Sequence, residues 1–124
     1  MNLIVDTHII FWNLLYPEKL SFNVVSALNS STNIFLPTIV LLELDRLFRK
    51  ANKYPSFEYF YQNLQNQSKY IVYPLDQDVL KEYLLVKNNL EIHDRVIVAT
   101  AKYLDAQLVS KDLEIRKVYP KVIW

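Results

Sequence analysis

The chain has 124 residues, 52% of them hydrophobic, and a formal net charge of +1. That supplies enough apolar side chain for one packed domain over 1–124, and too little charge for a protein that holds nucleic acid by basicity alone. Cysteine and glycine are both absent, which excludes disulfides, thiolate metal sites, cysteine nucleophiles and glycine-rich phosphate loops.

In chain order, Leu3-Ile4-Val5 is a short β-branched run that ends at Asp6 and predicts a buried strand. A helix is expected over 7–15, stopped by Pro17, and another over 21–28 with Ser21 as N-cap. Residues 34–36 read as a second strand. Pro37-Thr38 then opens a helix to about residue 50, with Thr38 as its N-cap. A helix over 56–67, a strand over 71–73 ending at Pro74, and a helix over 76–87 capped by Asp76 follow. Residues 93–104 are apolar nearly all round, the mark of a helix inside the core. Gln107-Leu108-Val109 is the next strand, and 121–124 reads as a final edge strand. Without glycine, turns at positive φ fall to Asn and Asp, as at Asn88-Asn89 and Asp105.

Short apolar strands alternating with helices predict an α/β fold, a central parallel β-sheet flanked by helices on both faces. Ligands of such sheets bind beyond the carboxyl ends of the strands, where the strand order switches. Asp6 closes the first strand, and Asp112 lies just past the strand at 107–109. Asp94 falls in the first turn of the buried helix, and Glu43 about one and a half turns into the helix after Pro37. The second and fourth strands are expected to feed helices from one rim, so that these early turns overhang it. Each acid alone has a structural reading. Asp6 could serve a turn, Asp94 a helix cap, Glu43 a solvated face, and Asp112 the cap of a segment at 113–116. Together they make an acidic rim. Converging carboxylates repel unless a cation offsets them, and hard divalent ions prefer such oxygen ligands.

The opening Leu-Ile-Val-Asp6-Thr7-His8-Ile-Ile-Phe-Trp12 resembles that of PIN-domain proteins, in particular VapC-type toxins of type II toxin–antitoxin modules. The same holds for Glu43-Leu44 after Pro37-Thr38, for Ile92-His93-Asp94-Arg95 and the apolar run behind it, for Leu108-Val109-Ser110-Lys111-Asp112, and for the closing Val122-Ile123-Trp124. The likeness spans the chain in order and spacing. It implies a PIN-like fold and an endoribonuclease dependent on Mg²⁺ or Mn²⁺. It also implies RNA substrates such as tRNA or rRNA, products with 5′-phosphate and 3′-hydroxyl ends, an antitoxin partner and a homodimer. It carries Asp6, Glu43, Asp94 and Asp112 over as catalytic and metal-site acids, with Thr7 and Ser110 as small hydroxyl positions beside them. Two departures stand out: Asp105-Ala106 where glycine is common, and Ser110 where many members have threonine.

Around this set, His93 and His8 are read as structural, and two histidines without cysteine argue against zinc. Arg46, Arg49, Lys50 and Lys53 follow Glu43 along one helical stripe. That stripe would guide an RNA backbone, meet an acidic partner, or simply face solvent, with Asp45–Arg49 as a local pair. Arg95 is expected to face phosphate or a neighbouring acid. Tyr54, Phe57, Tyr59, Phe60 and Tyr61 crowd one region and are read as packing for helices or a partner rather than as a base-stacking platform. An acid at position 6, no basic leader and no apolar run near the roughly 18 residues of a membrane span point to a cytoplasmic protein. The competing readings are a non-catalytic PIN-like binding or scaffold domain, a stand-alone RNA-processing nuclease, and a phosphate-accepting receiver-like domain. The lone Asp6 near the first strand disfavours the last.

Overall fold

A computed structural model describes residues 2–52, 56–87 and 89–124. Five strands, β1 (Asn2–Val5), β2 (Asn33–Pro37), β3 (Tyr70–Tyr73), β4 (Gln107–Val109) and β5 (Val122–Ile123), form one parallel sheet in the order β3-β2-β1-β4-β5. Leu3, Ile4 and Val5 are all fully buried. Successive strand residues point to opposite faces, so both faces of the sheet centre are covered. From β1 the chain builds outward through β2 and β3, then returns to place β4 and β5 on the other side. The switch point of the strand order is therefore the seam between β1 and β4.

Seven helices are described: α1 (Thr7–Leu15), α2 (Phe22–Ser30), α3 (Thr38–Ala51), α4 (Phe57–Leu64), α5 (Gln77–Leu85), α6 (Ile92–Leu104) and α7 (Leu113–Val118). A 3-10 turn at Pro17–Lys19 follows α1. Side-chain caps start most of them. Ser21, Ser56 and Asp76 accept from the amides of Val24, Tyr59 and Val79, as their positions predict. In α6, residues 96–101 are all buried, in line with the apolar run.

Two helices end on left-handed residues, Asn52 at φ 49° and Asp105 at φ 50°. Asp105 answers the departure from glycine: a short polar side chain tolerates this conformation better than most. The pair at Asn88-Asn89 falls partly on residue 88, outside the described residues.

Three expectations need correction. Thr38 is not an N-cap; Pro37 holds that position, and Thr38 is already helical. Its hydroxyl donates instead to the Tyr73 carbonyl at 3.2 Å, beside the Pro37–Tyr73 ladder pair. The helix bearing Asp94 is not fed by a strand. It follows α5, which packs antiparallel to it. Near the start of α5, Asp78 meets Tyr103 near the end of α6, and Arg95 near the start of α6 donates to Val86 just past α5. Finally, α4 and α5 stop two to three residues short of the ends at 67 and 87 that the sequence suggests.

The aromatic region resolves in favour of packing. Phe48 of α3 meets Phe11 edge-on at 5.6 Å and lies 6.1 and 6.4 Å from Phe60 and Phe57 of α4. Tyr59 and Tyr61 remain exposed, and Tyr54 lies outside the described residues.

Candidate active site

At the β1–β4 seam the ladder pairs Val5 with Val109, so the next residues on each side, Asp6 and Ser110, emerge together from the sheet. The Asp6 amide donates to the Val109 carbonyl at 3.1 Å, and the Ser110 amide to Ile123 at 3.1 Å. The buried Ser110 hydroxyl donates to Asp6 Oδ2. The other oxygen of Asp6, Oδ1, accepts from the Ile9 amide at 3.2 Å and caps α1. Ser110 also accepts from the Asp112 amide at 3.0 Å, and Asp112 Oδ1 accepts from the Glu114 amide at 2.8 Å to cap α7. The cap reading of Asp112 is thus realised, while Asp6 serves as a helix cap rather than as a turn residue. Capping uses one oxygen of each carboxylate and leaves the group at the sheet rim.

Glu43 arrives from α3. Its Oε1 accepts from the Thr7 hydroxyl at 2.8 Å. Its Oε2 lies 3.9 Å from His93 Nδ1, which sits 2.5 Å from Glu91 Oε1. His93 is therefore tied to carboxylates, not to the backbone. Asp94 occupies the first turn of α6 but does not cap it; Glu91 holds the cap position. Among the described residues Asp94 makes no side-chain hydrogen bond. All four sequence-predicted acids line one open cleft of about 430 Å³, with Thr7, His8, Ile9, Trp12, Glu91 and Lys111.

The electrostatics follow from this crowding. Burial, and then the charges of Asp112, Glu91, Asp6 and Glu43, push Asp94 up to about 6. Asp6 is raised too. Burial is the main cause, opposed by the bonds from Ser110 and Ile9. Among the described residues no three His, Asp or Glu side chains are arranged to grip a metal ion unaided. The donor set is nonetheless wholly carboxylate oxygen on an open cleft. Such a set suits a hard divalent ion that keeps several waters and takes one or two carboxylates, rather than zinc. Asp6, Glu43, Asp94 and Asp112 are the residues that would hold it.

Some expected neighbours go elsewhere. Arg95 faces neither phosphate nor an acid. It donates to the Val86 carbonyl, and its guanidinium lies 4.8 Å over the Tyr83 ring, tying the start of α6 to the end of α5. Arg49 is engaged by Asp45 at 2.9 Å and Glu58 at 3.8 Å, while Arg46 and Lys50 are exposed. Lys53 lies outside the described residues. His8 is exposed on the cleft, 5.7 Å from the Trp12 ring. Sequence reasoning missed Glu91 and gave Lys111 no role. The signal for Lys111 is its place between Ser110 and Asp112.

A parallel sheet with carboxylates gathered at its switch point defines an α/β domain with an acidic cleft. The chain belongs to the PIN domain family, whose model matches residues 3–121. Solved structures share the fold. A toxin–antitoxin complex from Klebsiella pneumoniae is 18% identical with a TM-score of 0.73, over 98% of this chain and 95% of that one. VapBC2 from Rickettsia felis, bound to a DNA fragment from its promoter, is 15% identical with a TM-score of 0.73, over 99% and 96%. VapC20 from Mycobacterium tuberculosis, a sarcin–ricin loop cleaving toxin, is 14% identical with a TM-score of 0.69, over 93% of each chain. No curated protein sequence matches the chain. Among the described residues no helix is long and apolar enough to cross a membrane.

Proposed function

We propose that this chain is an endoribonuclease dependent on Mg²⁺ or Mn²⁺, and the toxin of a type II toxin–antitoxin pair. One observation carries the reading: Asp6, Glu43, Asp94 and Asp112, from four separate elements, line one open cleft at the switch point of the sheet. The family supports a nuclease. The sarcin–ricin loop cleaving relative supports structured RNA, tRNA or rRNA, as substrate, and the relatives solved as toxin–antitoxin complexes support an antitoxin partner. The exposed apolar side chains Leu84, Leu85 and Ile92 support a protein-facing surface, for an antitoxin or a second copy.

The chain's own residues divide the work. Ser110 and the Ile9 amide hold both oxygens of Asp6, and the Glu114 amide holds Asp112, so these two carboxyl groups are held in fixed orientations. Thr7 orients Glu43. Asp94, without a side-chain hydrogen bond among the described residues and with its pKa pushed up to about 6, is the carboxylate suited to accept a proton from an attacking water near neutrality. A bound divalent ion would supply Lewis-acid charge against the phosphate and the incoming water. The water oxygen joins phosphorus, the bond to the 3′ oxygen breaks, and that oxygen takes up a proton. The products carry 5′-phosphate and 3′-hydroxyl ends.

The test is purified protein incubated with total tRNA and ribosomal RNA in Mg²⁺, beside Asp94→Asn protein and an EDTA control. Cleavage should require both Asp94 and the metal. RNA cleavage retained by pure D94N protein would sink the assignment. A small antitoxin-like reading frame immediately upstream of the gene would support the toxin role, and its absence would favour a stand-alone RNA-processing nuclease.

A further inference from the structure

We infer that one lip of the carboxylate cleft is a path for single-stranded RNA, built from two lysines laid over three aromatic rings. Lys111 Nζ lies 5.3 Å from the Trp124 ring centroid and 6.0 Å from that of Trp12. Lys19 Nζ lies 5.6 Å from Trp12 and 5.1 Å from Tyr16. Trp12 and Trp124 meet edge-on at 6.3 Å. The result is a row, Tyr16, Lys19, Trp12, Lys111, Trp124, drawn from the end of α1, the 3-10 turn after it, the segment past β4 and the residue after β5. Trp12 and Lys111 are also part of the cleft wall, beside Asp6, Asp94 and Asp112.

Two features separate this row from an ordinary solvated surface. First, neither Lys19 nor Lys111 forms an ion pair among the described residues, whereas Arg49 on the α3 stripe is engaged by two carboxylates. An exposed ammonium on a ring is held weakly and stays available to a phosphate. Second, the spacing is productive. Lys111 stands between Ser110 and Asp112, so a phosphate paired with it lies next to the carboxylates. Rings vacated by the lysines offer faces on which bases stack. Alternating cations and aromatics beside a hydrolytic cleft fit a strand with exposed bases. The RNA then approaches the cleft along α1 and the segment after β4.

This path rests on the RNA-cleaving reading, and the two fail separately in the following test. Both tryptophans of the chain, Trp12 and Trp124, stand on the row, so tryptophan emission reports on the row and on the cleft wall that Trp12 shares with it. Asp94→Asn protein is titrated with a short single-stranded RNA of mixed sequence at several salt concentrations, following tryptophan emission and, with labelled RNA, anisotropy. Binding should change the emission. Adding K19A and K111A, at two exposed positions, should weaken binding roughly tenfold and lower the log–log salt slope by about two, one per phosphate contact. R46A with K50A should leave the emission change in place. RNA bound without a change in emission, a salt slope indifferent to Lys19 and Lys111, or no binding at all would overturn the path. Cleavage by the unsubstituted protein would then still uphold the nuclease. An emission change with no cleavage by that protein would uphold the path and remove the nuclease.

Discussion

Thr7 and Glu43 are joined across 36 positions by a 2.8 Å hydrogen bond from the threonine hydroxyl to the glutamate. Thr7 is buried at the first residue of α1, while Glu43 sits half-buried in α3. The bond fixes the one acid of the four that neither ends a strand nor begins a helix. Thr7→Val keeps the shape and removes the donor. A hydrogen bond to a charged group contributes about 1.5–3 kcal/mol, so if Glu43 must be held in place, kcat should fall roughly tenfold or more. Thr7→Ser, which restores the hydroxyl, should recover most of the loss. Equal rates for all three proteins would show that Glu43 needs no such support.

Ser110 meets Asp6 from the adjoining strand, and both are buried. Removing the donor leaves a buried carboxylate oxygen unsatisfied, which costs about 1–3 kcal/mol and more for a charged group. Ser110→Ala should therefore lower the urea midpoint measurably and raise the Asp6 pKa further, since the Ser110 bond is among the forces holding it down. An unchanged midpoint at pH 7 would mean that water replaces the serine.

Much of this arrangement is legible in the sequence, for reasons that differ by element. The run Leu3-Ile4-Val5 and the stretch 96–101 inside α6 offer almost nothing polar to solvent, and both are buried. The strand-end acids follow from the same logic, because an apolar run that stops at an acid marks the rim. The route to Asp94 is not legible. Residues 86–91 carry no periodicity, and only the antiparallel packing of α5 on α6 brings the start of α6 to the rim. Thr38 misleads because Pro37 satisfies the cap position with its fixed φ, here −55°. Arg95 misleads because neighbours in sequence point about 100° apart on a helix and do not face each other. The aromatic–lysine row is assembled from three distant segments, and no local pattern announces it.

The raised pKa of Asp94 sets a pH dependence of stability with a definite sign. In the folded protein Asp94 titrates at about 6, against an ordinary value of 3.8. Between those values the folded state binds more protons than the unfolded state, so stability falls as pH rises through the window and levels off above about 6. Asp6, shifted in the same direction, adds to the effect. In EDTA the melting temperature should therefore drop between pH 4 and 6.5, and Asp94→Asn should flatten part of that fall and melt higher at pH 7. A melting temperature that rises across this range would refute the carboxylate repulsion on which the site reading depends.

A divalent ion should reverse that loss where the carboxylates are charged. A ligand that binds only the folded state stabilises it by about 2.7 kcal/mol at a hundred times its dissociation constant, and about 1 kcal/mol moves the melting temperature by roughly 2–8 °C in domains of this size range. Millimolar Mg²⁺ or Mn²⁺ at pH 7.5 should thus raise the melting temperature by several degrees. At pH 5 protons compete for Asp94, and the shift should shrink. Asp94→Asn should lose most of the response at pH 7.5, because it removes both a ligand and the repulsion that the ion relieves. Ca²⁺, also an oxygen-seeking ion, is expected to stabilise without supporting cleavage, separating binding from chemistry in one set of melts and gels. No shift with any of the three ions at pH 7.5, or an equal shift in D94N protein, would place the metal elsewhere than on Asp6, Glu43, Asp94 and Asp112.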